Sequence, residues 1–244
     1  MKKIINDVKV NFDFFNNDFD TTILLLHGWG QNIKMMEPIK NKYKSRFNIL
    51  SIDLPGFGDS DEPSYSWEVI DYVECVRKLI LDLEIDDLII IGHSFGGRVA
   101  LLYSSLYEVN KLVCFGSPYC KEIIKLSIKT KIYKKIKKIK GMKWLAKIMQ
   151  NRLGSIDYKN ASSIMKGVLV KSVNLNMHDD VKKINCPTLL IWGDKDEAVS
   201  IERAYELEKL INDAAVIVYK NASHYAYLER LDEVCVVLNC FFNN

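Results

Sequence analysis

The run Ile89-Ile90-Ile91-Gly92-His93-Ser94-Phe95-Gly96-Gly97 restricts what this chain can fold into more than any other stretch. A short apolar run passes directly into Gly-x-Ser-x-Gly and then into a helix-period segment from Gly97 to Tyr107. A strand must therefore end, turn sharply and become a helix within a few residues. Such a turn crowds the backbone two residues before and two after the serine, where Gly92 and Gly96 stand. The helix starting near Phe95 points its dipole and its free N–H groups at the place where an oxyanion would form. Ser94 is thus a candidate nucleophile lifted above the end of a sheet.

The rest of the chain supplies that sheet. Thr22 to Leu26, Asn48 to Ile52, Leu88 to Ile91, Lys111 to Phe115, Thr188 to Trp192 and Ala215 to Tyr219 are continuously apolar rather than alternating, the pattern of strands buried on both faces. Lys3 to Phe15 alternates in part through Val8, Val10 and Phe12, which predicts one or two antiparallel edge strands with a turn near Asn16-Asn17-Asp18. Helical spacing recurs over Trp67 to Leu83, Ile201 to Ile211 and Leu231 to Phe242. Strands alternating with helices give an α/β class with a mostly parallel sheet. From Tyr119 to about Asp180 the strand-like runs stop and a lysine-rich, helix-period segment intervenes. At 244 residues the chain supports one large core with one insertion. The expected division is core over 1–118, a helical insertion over 119–180 and core again over 181–244.

A serine is a weak nucleophile without a base, so one histidine must reach Ser94. Of the four histidines, His27 directly follows a strand, His93 sits in the elbow itself and His178 lies in the insertion. His224 alone follows the last predicted strand by a short loop, Lys220 to Ser223. The acid that orients it belongs between nucleophile and histidine in chain order. Asp194 and Asp196 both follow the strand ending at Gly193, whereas Gly116-Ser117-Pro118-Tyr119 holds no carboxylate. A residue directly after a strand tends to be taken up by the turn, which favours Asp196. For the oxyanion, the strand Thr22 to Leu26 runs into the turn His27-Gly28-Trp29-Gly30, and the backbone N–H groups of Trp29 and Phe95 are the candidate donors.

These residues resemble the lidded α/β-hydrolase family over essentially the whole chain. The likeness is carried by His27-Gly28-Trp29-Gly30, Asp53-Leu54-Pro55-Gly56-Phe57-Gly58-Asp59-Ser60, Gly92-His93-Ser94-Phe95-Gly96-Gly97, Trp192-Gly193-Asp194-Lys195-Asp196 and Ser223-His224. The resemblance implies an eight-stranded sheet flanked by helices, with a small helical cap inserted after the sixth strand, and its G-x-x-D pattern places the acid at Asp196. Two positions depart from it: Ser200, where proline is common, and Asn221, where glycine is frequent. A serine rather than an aspartate at position 94 separates the chain from epoxide hydrolases and dehalogenases. What it implies is hydrolysis of carboxylic esters or thioesters through an acyl-enzyme on Ser94, with neither metal nor organic cofactor. Carbon–carbon bond hydrolysis of diketones uses the same triad, and a ligand receptor on the same fold is the non-enzymatic alternative.

Composition sets the surroundings. Asp7, Lys9 and Asp13 interrupt any apolar region behind the basic start, so no secretion signal is expected, and no run is long and apolar enough to span a membrane. Six cysteines without a C-x-x-C pair read as reduced thiols, which points to the cytoplasm. Tyr119 to Arg152 carries eleven lysines and one arginine against Glu122, a local balance of +11 in a chain of net +3. Ile124, Ile128, Ile132, Ile136 and Ile139 recur there at helical spacing, so a helix would be basic on one face. Such a face suits an anionic substrate, an acidic carrier protein or an anionic membrane surface. No motif or aromatic platform points to a specific nucleic acid. The His27-Gly28-Trp29-Gly30 turn with the basic cap also resembles esterases acting on pimeloyl-carrier-protein methyl ester, although His93 replaces the tryptophan common there.

Overall fold

The computed structural model describes residues 1–121 and 161–243. Eight strands form one sheet in the order β1-β2-β4-β3-β5-β6-β7-β8. β1 (Lys2–Ile5), β2 (Val8–Phe15) and β4 (Asn48–Ile52) pair antiparallel in succession. β3 (Thr21–Leu26), β5 (Asp87–His93), β6 (Lys111–Phe115), β7 (Thr188–Gly193) and β8 (Ala214–Tyr219) join β4 in parallel. The six strands expected from continuous apolar runs are present, two with the expected bounds, three longer by one residue and β5 longer by three.

Alternation along each buried strand sends successive side chains to opposite faces, giving two cores. Leu24, Leu26, Ile90 and Leu112 pack with Val73 and Val76 of α2 (Val69–Asp82) and Val99 and Ala100 of α3 (Phe95–Leu106). Ile23, Leu25, Ile89 and Ile91 pack with Ile39 of α1 (Glu37–Tyr43) and Val234 and Leu238 of the C-terminal helix, Leu231–Asn243.

A turn follows Phe15 as expected, with Asp18 at φ 56° and its N–H donating to Asn16 Oδ1 at 3.0 Å. A second turn, not expected, joins β1 to β2 at Asn6 and Asp7, whose φ of 50° and 63° are the left-handed pair of a two-residue turn. β2 is also interior, paired on both sides, so β1 alone is the antiparallel edge. The sequence pass missed α1 and the 3-10 turn Ile33–Met36 before it, because their apolar residues are too few to show a period.

Most of the expected insertion, 122–160, lies outside the described residues, and so does its basic helix. The chain is described again from Ala161, and α4 (Ser163–Asn174) follows, capped by Ser162, whose Oγ accepts the Met165 N–H at 3.0 Å. The single-turn helix α5 (His178–Val181) replaces the loop expected over Asn176 to Asp179. α6 (Ile201–Leu210) and α7 (Ala226–Glu229) follow β7 and β8 before the C-terminal helix, α8. Among the described residues no helix is long and apolar enough to cross a membrane.

Asp53, directly after β4, ties the loops of the sheet's carboxyl end together. It is 2 % exposed. Its carboxylate accepts the Ile33 N–H, the Asn11 amide and the Asp59 N–H, each at 2.8 Å. Its carbonyl accepts the Ser60 hydroxyl at 2.6 Å. Removing the acceptor leaves three donors unpaired, so Asp53→Ala is expected to cost about 3 kcal/mol. Urea unfolding of the two proteins measures this, and an unchanged midpoint would show that the loops do not depend on the carboxylate.

Candidate active site

β5 ends at His93 and α3 begins at Phe95; Ser94 between them takes φ 51° and ψ −109°. Surrounding hydrogen bonds hold this backbone. The Ser94 N–H donates to the Phe115 carbonyl and the Ser94 carbonyl accepts the Arg98 N–H, both at 2.9 Å. Both predicted glycines stand where a side chain would meet backbone. A Cβ at Gly96 would stand 2.5 Å from the His27 carbonyl oxygen, and one at Gly92 2.6 Å from Gly97 Cα.

The sheet register brings the other groups to the same end. Leu26 pairs with Gly92, Phe115 with Ile191 and Gly193 with Tyr219, so the loops after β3, β5, β6, β7 and β8 leave one edge together. There the structure joins His224 to Asp196. Nδ1 of the histidine lies 2.7 Å from Oδ2 of the aspartate, whose side chain is 1 % exposed against 15 % for the histidine. The other carboxylate oxygen accepts the N–H groups of Ala198 at 2.8 Å and Val199 at 2.9 Å. With carboxylate at Nδ1, the proton of neutral His224 sits there and Nε2 is left with a lone pair.

Asp194 does not reach the histidine; it accepts the Asn221 N–H at 2.6 Å. Asn221 has φ 58°, a conformation asparagine tolerates, so it stands where the resembled family often has glycine. Ser200 has φ −64°, the backbone proline would impose.

The turn after β3 is pinned by His27. Its Nδ1 lies 2.7 Å from the Gly28 carbonyl and its Nε2 accepts the Leu54 N–H at 3.0 Å, which fixes the neutral Nδ1–H tautomer. Burial lowers this imidazole to about 4, against the opposing pull of the Gly28 carbonyl and Asp53. Gly30, at φ 69°, completes the turn. Among the described residues no acceptor takes the N–H of Trp29 or of Phe95. Their side chains fix them relative to each other: the Trp29 ring meets Phe95 at 5.4 Å and Phe57 at 4.8 Å, both edge to face.

His93 is fully buried, with Nδ1 3.3 Å from Gln31 Oε1 and Nε2 3.2 Å from the His224 carbonyl oxygen. Burial first, then neighbouring His224, lowers it to about 3. His178 is exposed on α5.

Trp29, Ser94 and His224 line a cavity of about 540 Å³ together with Gln31, His93 and Tyr225. A second, of about 550 Å³, opens on the other side of Trp29 among Phe57, Glu62, Ser162 and Met165. Among the described residues no three His, Cys, Asp or Glu side chains are grouped to hold a metal ion.

The sequence reading missed Gln31, Tyr225, Phe57 and Gly116. Gln31 Oε1 accepts the Gly28 N–H at 3.0 Å while its Nε2 donates to the Tyr225 hydroxyl at 3.2 Å. Gly116, at φ 51°, leaves room beneath the histidine–aspartate pair, where a Cβ would come within 2.9 Å of His224 Nδ1. Gly116 and Phe57 lie in turns that sequence inspection had picked out, which was the available signal.

A family model described as alpha/beta hydrolase family matches residues 23–236. The AB hydrolase superfamily protein YisY of Bacillus subtilis (strain 168) is 25% identical over 256 residues, covering 91% of this chain and 91% of its own. The pimeloyl-[acyl-carrier protein] methyl ester esterase of Aliivibrio fischeri (strain MJ11) is 21% identical over 245 residues, covering 91% of this chain and 93% of its own. The solved esterase EaEST of Exiguobacterium antarcticum superposes with a TM-score of 0.77 at 19% identity, covering 100% of this chain and 99% of that one.

The two buried histidines give stability a pH dependence. Both fall from an ordinary 6.5, to about 4 for His27 and about 3 for His93, so the unfolded chain binds protons that the folded one refuses. Their contribution is complete above 6.5 and is lost as pH falls below it, by up to about 1.4 kcal/mol per pH unit for each ring. Urea midpoints between about pH 7 and pH 5, above the carboxylate range, should fall accordingly. A flat profile would mean that the rings are not held neutral.

Proposed function

The chain belongs to the alpha/beta hydrolase family, and on that premise we propose that it is a serine hydrolase of carboxylic esters or thioesters. The observation that carries this reading is the buried Asp196 carboxylate, 2.7 Å from His224, on the cavity that Ser94 enters from a left-handed elbow.

In the proposed reaction His224 Nε2 takes the Ser94 hydroxyl proton as Oγ attacks the substrate carbonyl carbon. The carbonyl π bond opens and the charge moves to oxygen, to which the Trp29 and Phe95 N–H groups donate hydrogen bonds. Collapse of the adduct breaks the bond to the alcohol or thiol, which leaves with the proton from His224. Water, deprotonated by the same nitrogen, then attacks the acyl-enzyme and the acid is released with Ser94 restored. Asp196 holds the imidazole in the required tautomer and stabilises its cation in both steps. Relatives named as esterases support an ester substrate, the six unpaired thiols support a cytoplasmic setting, and the sequence charge of Tyr119 to Arg152 supports an anionic acyl carrier as partner.

Ser94→Ala is expected to lower turnover of p-nitrophenyl esters by about 10⁶-fold, and Asp196→Asn by about 10⁴-fold, with a fluorophosphonate labelling Ser94 in the wild type. A wild type that neither turns over an acyl ester nor takes the label would overturn the reading. For the partner, an acyl ester on an acidic carrier protein should lose about tenfold in kcat/KM between low and high salt. A free p-nitrophenyl ester should change little, and an equal response of both substrates would exclude the carrier.

A further inference from the structure

His93 touches every part of the site, yet the reaction as drawn does not use it. It directly precedes Ser94, it faces the oxyanion turn through Gln31, and it faces the base loop through the His224 carbonyl. The rings of His224, Tyr225 and Tyr227 surround it at centroid distances of 4.8, 5.3 and 5.0 Å. Tyr227 in turn stacks on Phe115 at 4.7 Å, so this packing is continuous with the sheet.

Both ring nitrogens point at oxygens, but a neutral imidazole has one proton to give. Gln31 Oε1 already accepts the Gly28 N–H at 3.0 Å. The His224 carbonyl accepts from no other group among the described residues. This part-buried carbonyl has the ring as its one donor among the described residues and lies marginally nearer, at 3.2 Å against 3.3 Å, so the proton is assigned to Nε2. Resting on the serine-hydrolase reading above, we propose that His93 is a positioning residue: its Nε2–H donates to the His224 carbonyl and fixes the base loop against the nucleophile elbow. Burial keeps the ring uncharged down to about pH 3, so it puts no like charge beside His224 when that ring becomes a cation in the reaction.

The test uses side chains that place one donor at a time. A glutamine amide reaches where Nε2 stands, an asparagine amide only where Nδ1 stands, and leucine offers neither. The rate of fluorophosphonate labelling of Ser94 is expected to stay within about threefold of wild type in His93→Gln and to fall by about 10- to 100-fold in His93→Asn and His93→Leu, the scale of an ångström-sized displacement. With an ester, kcat should fall in the same order while KM stays put. Nitrogen-15 NMR of the wild type should show His93 neutral with the proton on Nε2, a result that needs no variant to fold. Equal labelling in all three variants, a glutamine as slow as leucine, or a proton found on Nδ1 would each overturn the proposal. Failure of the wild type itself to take the label would instead remove the hydrolase reading, and this one with it.

Discussion

Ser94 occupies a backbone conformation that neither a strand nor a helix supplies, and the rest of the site is arranged to hold it there. A non-glycine residue in such a region costs roughly 1–3 kcal/mol and persists only when its surroundings over-determine it. Here they do, since β5 enters and α3 leaves within one residue, the Phe115 carbonyl takes the serine N–H, and Gly92 and Gly96 let the backbone of three elements meet. The same turn that strains the serine starts α3 at Phe95, whose N–H no acceptor takes among the described residues. In the proposed reaction, strain and electrostatic preparation would therefore come from one feature of the fold.

The turn after β3, which would hold the oxyanion in the proposed reaction, is held by a different kind of interaction. Asp53 draws the loop after β4 onto β2 and the 3-10 turn, which leaves the Leu54 N–H facing His27. His27 passes that constraint to the Gly28 carbonyl, one residue before the Trp29 N–H. The tryptophan side chain then packs against Phe57 and Phe95, linking the two donor residues by aromatic contact rather than through the chain. Two N–H groups from distant parts of the sequence thus acquire a fixed relation without hydrogen-bonding to each other.

Much of this was legible in the sequence because chemistry that depends on chain geometry leaves a local pattern. Strand-to-helix crowding demands Gly92 and Gly96, and continuous apolar runs announced the buried strands. Chain order singled out His224, which the structure places beside Asp196. What was not legible depends on contacts across the fold. Gln31 reaches Tyr225 from 194 residues away in sequence, and nothing near either residue signals the pairing. β2 reads as an edge strand because Val8, Val10 and Phe12 alternate with polar residues, yet it lies between β1 and β4. The β1–β2 turn at Asn6-Asp7 is hidden in the sequence because the partial alternation of Lys3 to Phe15 runs across it; strand register, which spacing alone does not reveal, shows it.

The four histidines show how one residue type is sorted into different chemistry by its surroundings. His27 and His93 are both fully buried without a carboxylate hydrogen bond, and burial drives both far below the range in which a histidine exchanges protons near neutrality. They are built as neutral hydrogen-bonding parts. His178 is exposed on a short helix and touches none of the cavity. His224 combines partial exposure with a buried carboxylate at Nδ1, which leaves its Nε2 for the proton transfer of the proposed reaction. In the proposed reaction a solvated His93 would compete for the proton that His224 takes from the serine. Burying it 4.8 Å away would confine that transfer to a single ring, so the two histidines can sit in contact without either taking the other's proposed role.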